Sequence, residues 1–71
     1  MAPMGRICAY YRKEIGYTMR EIASDTGYTI ANISHFEHGR NDNATILLWY
    51  VLHGLTQEKY LLINDILQGD N

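Results

Sequence analysis

His35 and His38 stand three residues apart in "ISHFEHGR", a spacing that lets two imidazoles share one helix face. Such a pair could begin a metal site. Two ligands do not close one, however, and Cys8 and His53 lie elsewhere with no ligand spacing. The carboxylates are scattered singly or fall at helix-capping places, and no glycine-rich phosphate loop is present. Six tyrosines would suit stacking on single-stranded nucleic acid, but Tyr11 already shares an apolar helix face with Cys8 and Ile15. The expectation is therefore no catalytic residue, no metal, no cofactor and no small-molecule ligand.

A chain of 71 residues allows a single domain over 1–71, and one of marginal stability. Apolar residues make up 46 % of it, enough for a core with some left for an interface. The lone Cys8 excludes an internal disulfide and, in its apolar setting, reads as a small buried hydrophobe. "MAPMGRIC" has no apolar signal-peptide core, and the run Ile46 to Leu52 is too short to span a bilayer, so a cytoplasmic location is expected.

The net charge of −2 counts against a nucleic-acid binder. Its distribution softens that objection. Arg6, Arg12, Lys13, Arg20 and Arg40 leave residues 1–40 at +1, whereas Lys59 stands alone against four carboxylates in residues 41–71, which carry −3.

Glycines at 16, 27, 39, 54 and 69 each follow an apolar-periodic segment, where glycine ends helices because a left-handed conformation costs it little. The starts are equally legible. Thr18 with Glu21 forms a capping box, and Thr29, Asn43 and Thr56 can cap the later segments. Between these marks the spacing is helical and strand alternation is absent. The pattern predicts an all-α domain of five helices, roughly 5–15, 18–26, 29–38, 43–53 and 56–68. The fourth, "ILLWYVL", is apolar around most of its circumference, which implies a second buried face. The expected association surface, over residues 43–68, comprises Ile46, Trp49, Tyr50, Leu62, Ile63 and Ile66, with a homodimer as the simplest partner.

The stretch "YTMREIASDTGYTIANISHFEHGR" resembles the helix-turn-helix of the phage-repressor and Cro family, the xenobiotic response element family. Gly16, Tyr17, Thr18, Glu21, Ile22, Ala23, Gly27, Thr29, Ile33, Ser34, Glu37 and Gly39 fall in its register without a gap. The resemblance covers about Ile7 to Thr56 and implies a lambda-repressor-like fold, with the helix-turn-helix at 18–38. It also implies an ion pair between Arg12 and Glu37. By the same resemblance the third helix would enter the major groove of double-stranded operator DNA. The implied contact residues are Thr29, Ile30, Ala31, Asn32 and His35, with Arg20 and Arg40 on phosphates.

The chain departs from that family where it matters most. Met19 stands where a phosphate-binding glutamine is common, and Ile30 and Ala31 can offer a base only apolar contact. Two functions follow. One is a small phage-like or mobile-element transcriptional regulator binding operator DNA as a dimer. The alternative is an antirepressor-type module that keeps the fold and binds a repressor protein.

Overall fold

In a computed structural model, which describes residues 1–69, the chain forms five helices: α1 (Met4–Ile15), α2 (Met19–Thr26), α3 (Ile30–Glu37), α4 (Ala44–Leu52) and α5 (Gln57–Gln68). The described residues contain no strand. Every boundary lies within a residue or so of the sequence expectation. The first helix starts one residue early because its entry is set by Pro3, whose carbonyl accepts from the N–H groups of Arg6 and Ile7 at 3.1 Å, rather than by a side-chain cap. None of the five is long and apolar enough to cross a membrane.

The spacing of α2 and α3 is written in local chemistry. The Thr18 hydroxyl accepts from the Glu21 N–H at 3.1 Å while the Glu21 carboxylate accepts from the Thr18 N–H at 2.9 Å, so both partners of the box are met. Gly27, at φ 80°, then turns α2 toward α3, a conformation that costs a side-chain-bearing residue strain. Gly39, at φ 76°, closes α3: its N–H reaches the Phe36 carbonyl, and the Arg40 N–H returns to the His35 carbonyl at 2.8 Å. That second bond fixes the backbone of Arg40 beside the end of α3. The last expected stop differs, since Gly69 stays right-handed at φ −72° and continues the helical hydrogen bonding to Asp65.

The core gathers Ile7, Cys8 and Tyr11 from α1, Ile22 and Ala23 from α2, Ile33 and Phe36 from α3, Ile46, Trp49 and Tyr50 from α4, and Ile63 from α5. Burial pushes the Cys8 thiol up to about 12, with the Glu37 charge adding to the effect, so it stays protonated and packs as a hydrophobe. α2 and α3 pack on each other, α4 lies on α1 and α2, and α5 lies on α1. α1 also approaches α3 closely. A methyl group on Gly5 would collide with the Phe36 and Glu37 carbonyls, so that position needs glycine for space rather than for backbone freedom.

One buried polar knot ties three helices together. Arg12 donates through Nε to Glu37 Oε2 at 2.8 Å and through Nη2 to Oε1 at 3.0 Å, in the two-pronged geometry that suits guanidinium and carboxylate. Its remaining nitrogen, Nη1, donates to the Tyr17 carbonyl at 3.0 Å, and the Tyr50 hydroxyl donates to Glu37 Oε2 at 2.6 Å. The bond to Glu37 raises the Arg12 pKa, and burial with the same bond raises that of Tyr50. The sequence suggested the Arg12–Glu37 pair. It gave no hint of Tyr50 as its third member.

Four of the six residues expected on the association surface are core instead. Ile46, Tyr50 and Ile63 have no exposure and Trp49 only 5 %. The reason is that Trp49 lies on the inner face of α4, where its indole N–H donates to Asp25 at 2.9 Å and its ring stacks on His53 at 3.8 Å between centroids. The apolar surplus lies on the opposite side: Leu48, Val51 and Leu52 of α4 are exposed, as are Leu61, Leu62 and Ile66 of α5. Of the six, only Leu62 and Ile66 are exposed. α4 is apolar on two faces, but the anchors of the outer one are leucines and a valine.

Candidate recognition face

The start of α3 carries the candidate contact residues, and its own capping decides what they have to offer. Thr29 accepts from the Asn32 N–H at 3.1 Å, while Asn32 Oδ1 accepts from the Thr29 N–H at 3.1 Å and from its hydroxyl at 2.8 Å. Asn32 thus does the work that glutamate does in α2. Its carbonyl oxygen is spent on the helix start, and only its amide N–H₂ points to other uses. The signal was in the sequence, since an amide three residues after a threonine is a capping-box spacing.

Around this box the face is open. Ile30 is 38 % exposed, Ala31 and His35 are exposed, and Asn32 is half-buried. His35 and His38 do not act as a pair. His38 folds back on its own helix, with Nδ1 at 2.7 Å from the Ser34 carbonyl, which can only accept, so Nδ1 carries the hydrogen. Among the described residues no group of three His, Cys, Asp or Glu side chains is placed to hold a metal ion.

The cations divide sharply. Arg12 is consumed by Glu37, and Lys59 bonds Glu14 at 2.9 Å, which raises the lysine's pKa. Arg6, Lys13, Arg20 and Arg40 are exposed and pair with no carboxylate among the described residues. All four lie within residues 1–40. Arg20 sits in the first turn of α2 and Arg40 just past α3, so they flank the open start and the closed end of the two helices. Arg6 and Lys13, one α1 face apart by seven residues, were not singled out by the sequence reading, because nothing in a linear pattern shows which side of α1 stays uncovered.

Comparison with protein-family models, with curated proteins and with solved structures finds no match for the chain.

Proposed function

We propose that the chain is a small transcriptional regulator that binds operator DNA as a dimer, phage-like or mobile-element-like in type and working in the cytoplasm. In this reading the five helices are a lambda-repressor-like domain, with α3 in the major groove. The observation that carries it is the segregation of charge: four cations that pair with no carboxylate among the described residues, in a protein of net charge −2, all stand on α1, α2 and just past α3. Phosphate contacts supply most of the affinity in such complexes and fix the register in which a helix meets the bases. His35 and the Asn32 amide would then read base edges, with Ile30 and Ala31 against thymine methyls.

The test is binding to the DNA that flanks the chain's own gene, followed across salt. Affinity should fall steeply with salt, and Arg20→Ala or Arg40→Ala should each flatten that dependence by about one ion. No retention of the duplex at low salt would overturn the proposal.

A second reading rests on the same α3 start. An exposed isoleucine beside an exposed alanine, with the neighbouring asparagine oxygen already bonded, suits an apolar protein contact. The partner would be a repressor protein. Ile30→Asp should then abolish its capture by placing a charge in a dry contact, in a wild-type protein that ignores DNA.

A further inference from the structure

α1, the start of α2 and the end of α3 enclose a cleft of about 490 Å3 that the helix-turn-helix reading does not use. Pro3, Ala9 and Met19 form its apolar lining, and Arg6, Lys13 and His38 stand around it. The size is within the range of small-ligand sites. Its electrical character follows from the bonds already described. The carboxylate in its wall, Glu37, accepts from Arg12 twice and from Tyr50 once, so its charge is compensated. Arg6 and Lys13 bring positive charge that no carboxylate among the described residues answers. With His38 Nδ1–H given to the Ser34 carbonyl, Nε2 of the neutral ring is an acceptor, and only the protonated ring can donate from it to an anion. The Thr18 cap serves the Glu21 N–H and leaves the first N–H groups of α2, at Met19 and Arg20, unspent at the positive end of the helix.

We infer that this cleft is a phosphate-binding site, with Arg6 and Lys13 as its charged clamp, His38 at its edge and Met19 as its floor. The inference deepens the DNA reading, on which it rests for its occupant: a backbone phosphate outside the span reached by Arg20 and Arg40. The chemistry itself is that of any phosphate group, including that of a free phosphorylated compound. Met19 thereby gains a role that its lack of charge seemed to deny it. It shapes the seat that others charge.

Two measurements on the full chain decide the matter. In the first, pyrophosphate is titrated against the intact protein while the side-chain resonances of His38 and Lys13 are followed by NMR, with His35 as a reference outside the cleft. Saturable shifts at His38 and Lys13 that exceed those at His35 are expected. The Arg6→Gln, Lys13→Gln double variant should weaken them at least about tenfold, since hydrogen bonds to a charged group are lost. Both positions are exposed, so the fold should persist, and unchanged backbone amide resonances would establish that. Absent shifts, or equal shifts at His35, overturn the site. The second measurement is the salt dependence of duplex binding, which the double variant should flatten by about two ions. An unchanged slope removes the DNA backbone as occupant. If the wild-type protein binds no duplex yet pyrophosphate saturates the cleft, the DNA reading falls and the site stands for a free phosphate compound.

Discussion

In α1–α3 the inward-facing polar groups Arg12 and Glu37 are tied into a network, while the outward-facing cations pair with no carboxylate among the described residues. In α4–α5 the pattern is inverted: Lys59 is paired, and it is the outward apolar side chains, Leu48, Val51, Leu52, Leu61, Leu62 and Ile66, that have nothing to cover them. One half thus offers water its charge and the other its hydrocarbon. Exposed apolar residues are ordinary when scattered, but six on two consecutive helices of so short a chain are where the proposed dimer contact would be sought. Under the proposed function the two halves would have different tasks, one facing phosphate and the other a second copy of the chain.

The comparison breaks most severely at Glu37, because that side chain joins the halves. It holds Arg12 of α1 and Tyr50 of α4 from the end of α3. Glu37→Gln leaves a largely buried guanidinium with a neutral partner and should cost about 2–4 kcal/mol, a large share of the stability of a domain this small. Tyr50→Phe removes one hydrogen bond to a charged acceptor and should cost about 1–2 kcal/mol. Thermal unfolding of the two variants checks the order. A Glu37→Gln protein melting with the parent would remove the knot as the joint between the halves.

A second break concerns the apolar half alone. Leu52, 74 % exposed, and Leu62, 51 % exposed, contribute little to the folded monomer but should contribute to a dimer. Leu52→Glu with Leu62→Glu should shift sedimentation from dimer to monomer, leaving the monomer's unfolding close to that of the parent, as for surface substitutions in general (within about 0.5 kcal/mol). Trp49 is the internal control. Its indole is bonded to Asp25 and stacked on His53, so its emission should barely respond to dissociation. Monomer alone at high micromolar concentration in the parent would end the division of labour.

How far these halves were legible in sequence follows from what each feature depends on. Helix ends depend on neighbours in the chain, and Thr18, Gly27, Thr29, Asn43 and Thr56 marked them well. Which side of a helix faces inward depends on its partners. "ILLWYVL" announces two apolar faces, but the choice between Trp49 and Leu52 as the outer one is made by Tyr17, Asp25 and His53, which the linear pattern does not bring together. Gly5 was silent for the same reason, since its need for glycine arises from carbonyls of α3, thirty-odd residues away in the chain. The cleft beside Arg6 and Lys13 exists only once α1 has been laid across α3.

The finest prediction separates structure from recognition at one residue. Asn32→Ala removes both a capping oxygen and the amide proposed to read a base, so a loss of DNA binding in that variant would have two explanations. Asn32→Gln keeps an amide at the same place in the box, and glutamine is one of the two residues that ordinarily fill it. Helix α3 should therefore start as before, with stability within about 0.5 kcal/mol of the parent, the usual range for a change that breaks no named interaction. Recognition should change nonetheless. The longer side chain carries its N–H₂ a methylene further from the helix, and the base preference at one position should shift by about 1–3 kcal/mol while other positions hold. Binding-site selection with the two proteins, parent and Asn32→Gln, reads that difference directly. An identical preference in both would mean that Asn32 serves the helix alone, leaving His35 and Ile30 as what α3 has to show a partner.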